Sequence, residues 1–279
     1  MDDAPLSLAY SPCPNDTYIF AALTNGLIQD APRVRVVLED IENLNDSAVD
    51  GRYELTKVSY GAIPQLMDKY RILRSGGAMG SGCGPLLVAR PGSGTKLEDF
   101  REKLVAIPGE RTTAFMLLQL ALRGRPPILQ MRFDQIVSAV ASGTVDAGLI
   151  IHESRFTYAD AGLVAVADMG EWWESVTGLP IPLGAILVRD DIEDDVARSI
   201  DDAIRRSLAF ARADEAAVMP YVREHAFEMS DEVMRKHIAL YVNEFSNDLG
   251  ELGMRAVFEL FKRAHDAAII PQVAAPVFV

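Results

Sequence analysis

The sequence predicts an α/β fold divided into two lobes around a cleft. Three observations carry that expectation. Short apolar runs alternate with helix-length amphipathic stretches as far as about residue 190, the pattern of a mostly parallel sheet flanked by helices. Two stretches rich in proline or glycine break the alternation, as crossings between lobes do. The remainder, from Ile192 to about residue 268, reads as helix.

The elements follow in order. Leu6–Tyr10 is the first strand, and after the loop 11–15 either Asp16 or Thr17 is placed to cap a helix running to residue 25. Val34–Leu38 is the second strand, with a helix over 44–49 that starts near Asp46 and Ser47. Leu55–Ser59 is the third strand, leading to a helix over 62–70 in which Pro64 is tolerated near the start. Residues 75–85, with five glycines, read as a flexible stretch before the strand Leu86–Ala89. Pro91 to Gly94 is the first expected crossing. A second α/β unit then reads as strand 104–107, helix 112–123, strand 130–133, helix 135–142 and strand 147–151, with 163–166 continuing the apolar pattern. Residues 180–188 cross back. Val196, Ile200, Ile204 and Leu208 recur every four residues and give the next helix one buried stripe. Ser230, followed by Asp231 and Glu232, starts a later helix, and 271–279 is a tail expected to lie on the first lobe. One lobe is thus 1–90 with 188–279, and the other is 91–187. Two α/β units with two crossings and a returning helical segment describe a periplasmic-binding-protein-like (type II) fold, whose lobes hinge around a ligand.

Composition narrows the function. A formal net charge of −13 without a basic stripe argues against nucleic acid and anionic membranes as partners. No apolar run approaches the ~20 residues of a membrane span, and the N-terminal MDDAPLSLAY has neither the basic nor the apolar part of a signal peptide. Cys13 and Cys83 lack metal-ligand spacing and do not form a disulfide framework, so a reducing, cytoplasmic setting is expected. No HExxH, GxSxG or CxxC pattern occurs.

Ligands of open α/β sheets bind at the carboxyl ends of strands, beside the following helix N-termini. Four loops meet that rule. In 11–17, two prolines flank Cys13, while Asn15 and Asp16 either cap a helix or meet a ligand; no histidine adjacent in sequence supports a nucleophilic Cys13. At the end of the third strand Lys57 and Ser59 alternate with Val58, so an ammonium and a hydroxyl share one face. In 108–114, Thr112 reads as an N-cap and leaves Thr113 free, beside Ala114, to cradle an anion. His152 ends a strongly apolar strand with Glu153, Ser154 and Arg155 beside it, which suits a neutral imidazole for proton abstraction. His225, His237 and His265 fall on amphipathic helices and read as surface or packing residues. The pair Trp172 and Trp173 either stacks an aromatic ligand or packs in the core.

The segments SPCPNDT (11–17), LTKVSYGA (55–62), RSGGAMGSGCGPLLVAR (74–90), PGERTTA (108–114), GLIIHESRFTY (148–158), GEWWESVTGLPIPLGAI (170–186) and YVNEFSNDLG (241–250) resemble the 1,4-dihydroxy-6-naphthoate synthase family of futalosine-route menaquinone biosynthesis. The resemblance implies cleavage of cyclic dehypoxanthinyl futalosine to dihydroxynaphthoate and a three-carbon sugar fragment, without metal or organic cofactor. It implies His152 as proton acceptor and substrate contacts at Lys57, Ser59, Thr113 and Ala114, while Val58 and Thr112 are candidates as members of the same two segments; Arg111 is not carried over. Asn15, Asp16 and Arg155 join the candidate set from the loops themselves. The expected ligand is a small carboxylate. Chorismate dehydratase, which shares the fold, and a non-catalytic solute-binding protein are the alternatives.

Overall fold

In the computed structural model, which describes residues 4–226, 230–272 and 274–279, the chain forms two lobes, each built on its own sheet. The first lobe begins with β1 (Leu6–Tyr10), α1 (Pro14–Thr24), β2 (Val34–Leu38), α2 (Ile41–Val49), β3 (Leu55–Ser59), β4 (Tyr70–Ile72) and β5 (Ala78–Gly80). The second contains β6 (Leu86–Ala89), β7 (Val105–Ile107), α3 (Thr113–Leu122), β8 (Ile128–Gln130), α4 (Phe133–Ala141), β9 (Ala147–Ile150), α5 (Ser154–Thr157), β10 (Val164–Asp168) and α6 (Met169–Thr177). The return strand β11 (Ile181–Arg189) is followed by α7 (Asp194–Ala213), α8 (Glu215–His225), α9 (Asp231–Tyr241), α10 (Glu244–Asn247) and α11 (Gly250–Asp266).

The first sheet has the order β2-β1-β3-β11-β4 with β5 also on β11, and the second β10-β6-β9-β7-β8. Pairing is mixed rather than mostly parallel. The strands β1, β2 and β3 run parallel, as do β7, β8 and β9. The strands next to the crossings, β6 and β11, pair antiparallel with their neighbours because each enters its sheet from the other lobe. The first crossing also lies earlier than Pro91: β6 pairs with β9 and β10, so the chain has left the first sheet by Leu86. It is back in that sheet by Ile181.

Local chemistry explains the other departures from the sequence reading. The N-cap of α1 is Cys13, not Asp16 or Thr17, because Pro14 at the first helical position has no amide to satisfy. Thr17 instead donates its hydroxyl back to the Cys13 carbonyl at 3.0 Å. In α2 the cap is Asp40, whose carboxylate accepts from the Glu42 amide at 3.0 Å, so the helix begins at Ile41, three residues before the expected start. The helix expected over 62–70 shrinks to a single 3-10 turn, Ile63–Gln65. Beyond it, Tyr70 and Ile72 alternate with Arg71 and pair as a strand on β11. The glycine-rich 75–85 is not a free loop: β5 is buried on β11, and Ser75 is bound through its amide (2.9 Å) and hydroxyl (2.7 Å) to Asp201.

Helix α1 is buried along nearly its whole length between the first sheet and α7, α8 and α9. The stripe Ile200, Ile204 and Leu208 is fully buried, with Val196 only half so. Ser230 caps α9 by accepting from the Val233 amide at 3.3 Å. Residues 227–229, within the expected helical run, and Val273 of the tail lie outside the described residues. The tail does return to the first lobe: Ile72 donates to Val277 (2.8 Å) and accepts from Val279 (3.0 Å). Among the described residues no helix is long and apolar enough to cross a membrane.

Candidate functional site

The lobes close over a cavity with about 640 Å³ of empty space, the solvent at its open mouth included. Most of the wall grows from the ends of elements, and one side is a helix face. From the first lobe come Asn15 and Asp16 in the first turn of α1, Lys57 and Ser59 at the end of β3, and His237 and Tyr241 from α9. From the second come Thr112, Thr113 and Ala114 at the start of α3, and His152 beyond the end of β9.

The strand period sets which β3 residues face the cavity. Lys57 and Ser59 line it, while Val58 points to the opposite face and is fully buried in core, so its side chain is not a ligand contact. The Lys57 ammonium is not free for an anion in the way the sequence suggested. It lies 2.5 Å from the Asp16 carboxylate, with the two residues only 4% and 2% exposed. Asp16 also accepts from the Asn15 amide nitrogen at 2.7 Å and from the Ser11 hydroxyl at 3.1 Å. A buried pair survives desolvation only with such additional bonds. The ammonium's remaining hydrogens are what it has for a ligand.

The start of α3 differs from expectation in a similar way. Thr112 is the N-cap: its hydroxyl accepts from the Phe115 amide at 3.2 Å and donates to Gly109 at 2.7 Å. The Thr113 hydroxyl, expected to be free, joins the lobes, donating to the Leu183 carbonyl at 2.7 Å and accepting from the Gly61 amide at 3.1 Å. What α3 offers a ligand is therefore backbone: the first-turn amides at the positive end of the helix. The approach there is close. A Cβ on Gly61 would sit 2.8 Å from the carbonyl oxygens of Arg111 and Thr112, and one on Gly109 would sit 2.2 Å from Glu42. Arg111 lies in the same seam, with its amide on Glu42 at 3.1 Å and its guanidinium on Asp46 at 2.5 Å.

His152 has a φ of +57°, a left-handed conformation that costs a non-glycine residue roughly 1–2 kcal/mol. Its Nδ1 is 3.2 Å from the Cys13 sulfur, and its ring packs edge-on to Phe133 at 4.9 Å. Burial pushes the imidazole down to about 4, against the Asp16 carboxylate and with the Lys57 ammonium. The ring is thus neutral at pH 7. Burial also holds the Cys13 thiol well above its ordinary value, reinforced by Glu153. Although a histidine does lie beside Cys13, the sulfur is a thiol and a poor nucleophile.

Arg155 does not line the cavity. It ties the His152 loop to the first crossing, pairing with Asp168 at 2.6 Å and donating to the carbonyls of Gly82 (3.0 Å) and Gly84 (2.5 Å). Of the tryptophan pair, Trp173 is fully buried with its indole on the Pro180 carbonyl at 3.0 Å, and neither ring lines the cavity. His237 is the residue the sequence reading missed. It is 1% exposed and lines the cavity, rather than facing solvent or merely packing. The available signal was its place between Met234 and Tyr241 on the one buried stripe of α9. Among the described residues no group of three or more His, Cys, Asp or Glu side chains is arranged to hold a metal.

Residues 6–266 match the protein family described as menaquinone biosynthesis. A 1,4-dihydroxy-6-naphthoate synthase of Thermus thermophilus is 51% identical over 98% of this chain and 99% of its own length. The enzyme of the same name from Streptomyces coelicolor is 45% identical over 95% of each. Among solved structures, a protein of Archaeoglobus fulgidus superposes with a TM-score of 0.89 at 35% identity, covering 95% of this chain and 98% of its own. The alkanesulfonate-binding protein of Xanthomonas axonopodis, at 14% identity and a TM-score of 0.71 over 98% of this chain and 96% of its own, shares the fold.

Proposed function

The chain belongs to the menaquinone biosynthesis family, and from that premise we propose that its inter-lobe cavity cleaves cyclic dehypoxanthinyl futalosine to 1,4-dihydroxy-6-naphthoate and a three-carbon sugar fragment. The observation that carries the reading is the juxtaposition in one cavity of His152, from the second lobe, and the Lys57–Ser59 wall of the first.

His152 is the base. For Nε2 to accept a proton, Nδ1 must carry the hydrogen, and the Cys13 sulfur at 3.2 Å is the weak acceptor that receives it. Removal of a proton from a substrate hydroxyl leaves an alkoxide, which collapses to a carbonyl as the neighbouring C–C bond breaks. The electron pair enters the ring that becomes aromatic in the product, which supplies the driving force. The first-turn amides of α3, at Thr113 and Ala114, stabilise the negative charge as it develops. The Ser59 hydroxyl and the spare hydrogens of Lys57 hold the substrate's polar groups, with Asn15 and Asp16 fixing Lys57 from behind. Val58 and Arg155 act through the core and the crossing, without touching substrate. Two buried free thiols accord with a reducing, cytoplasmic setting.

The test is turnover by wild type and by His152→Asn, with chorismate as a control substrate. The variant should stay folded and lose about 10²–10⁴-fold in kcat, the range for a lost acid–base group. Near-normal kcat in the variant, or consumption of chorismate in place of the futalosine derivative, overturns the proposal.

A further inference from the structure

His237 reaches the cavity with one imidazole nitrogen committed and the other without a protein partner. Its Nε2 lies 3.1 Å from the Asn15 side-chain oxygen. Its Nδ1 is buried and has no hydrogen-bond partner among the described residues. The hydrogen positions follow from the chain of contacts behind it. A carboxylate can only accept, so Asp16, which already receives Lys57 and Ser11, must face the amide nitrogen of Asn15 at 2.7 Å. That turns the Asn15 oxygen toward His237, so Nε2 carries the hydrogen and donates it. Burial holds this imidazole well below its ordinary titration range, with His152 and Lys57 reinforcing the effect, so the ring is neutral and Nδ1 is a bare acceptor.

An acceptor buried without a partner is costly, and native sites that keep one keep it for a ligand or a bound water. The ring stacks nearly parallel to His152, 16° between planes and 6.2 Å between centroids, and is held from behind by Tyr241 at 4.7 Å. The two imidazoles come from opposite lobes. Resting on the substrate class proposed above, we propose that His237 Nδ1 accepts a hydrogen bond from a second substrate hydroxyl, fixing the sugar-derived ring while His152 deprotonates the first. His237 is then a substrate-binding residue that makes a hydroxyl-bearing ring, and not a bare aromatic acid, the preferred ligand. A dehydroxylated analogue leaves Nδ1 orphaned.

Two isosteric replacements separate this role from packing. In His237→Gln the amide nitrogen can take the place of Nε2 and keep the Asn15 bond, while the Nδ1 acceptor is lost. In His237→Asn the amide oxygen lies near Nδ1 and can restore the acceptor. With cyclic dehypoxanthinyl futalosine as probe, His237→Gln should raise KM about ten- to hundredfold, the effect of one unmet buried acceptor. His237→Asn should recover most of that loss, and the order should not follow thermal stability. Equal losses in both variants that track Tm, or KM within about twofold of wild type in His237→Gln, overturn the proposal. Wild-type protein inert toward the compound overturns the proposed reaction and this inference together; normal wild-type turnover with an unaffected His237→Gln removes this inference alone.

Discussion

Replacing Asp16 by asparagine changes one atom and removes the charge that, among the described residues, faces the Lys57 ammonium at hydrogen-bond distance. Asp16 is 2% exposed and takes three hydrogen bonds, from Lys57, Asn15 and Ser11. Removing one partner of such a pair costs about 3–5 kcal/mol because the other charge stays buried. With about 2.1 cal/mol/K of unfolding entropy per residue, a chain of 279 residues unfolds with about 0.6 kcal/mol/K, so Tm should fall by about 5–9 °C. Urea titration followed by tryptophan fluorescence measures the loss directly. The double variant Asp16→Asn with Lys57→Met removes the orphaned ammonium and should recover at least half of it, because contacting sites are not additive. A loss below about 1 kcal/mol in Asp16→Asn, or a double variant as unstable as the sum of the singles, refutes the claim that a buried ion pair organises this wall.

The pH dependence has a definite sign. With the His152 imidazole held at about 4, the base is deprotonated through the neutral range, so kcat/KM should stay flat from pH 8 to about 5 and fall only near 4. An acid limb centred near 6.5 contradicts it. Stability moves the same way: the folded forms of His152 and His237 resist protonation while the unfolded chain accepts it, so stability is complete above about 6.5 and is lost as pH falls toward 4. Gly61→Ala should hold the lobes apart, since its Cβ meets two carbonyl oxygens at 2.8 Å, and should lower kcat/KM by about 10²-fold while each lobe stays folded. Normal kinetics in that variant show that the seam can shift without loss.

Much of the frame was legible because it is written in short-range terms. The strands Leu6–Tyr10, Val34–Leu38, Leu55–Ser59 and Leu86–Ala89 are found at the expected residues, each a short stretch with apolar residues continuous or alternating with polar ones. Failures arose where two local rules compete. At α1 a proline at the first helical position overrides the usual capping hydroxyl, and at 62–70 a two-residue alternation overrides an approximate helical spacing. The face of Lys57 and Ser59, and the place of His152 at a strand end, follow from periodicity alone. Their partners do not. Lys57 meets Asp16 from 41 positions away, Cys13 meets His152 across 139, and His237 meets Asn15 across 222. No window along the chain contains both members of any of these pairs. The fold alone makes the free ammonium of the sequence a neutralised one, and makes a helix-face histidine part of the cavity.

The contact between sulfur and imidazole joins groups from opposite halves of the molecule, so it exists only while those halves are together. If the halves parted far enough to return the His152 ring to water, it would regain its ordinary value of about 6.5 in place of about 4. At pH 6.5 such a separation would take up about half a proton at this ring, and its reversal would release it to the buffer.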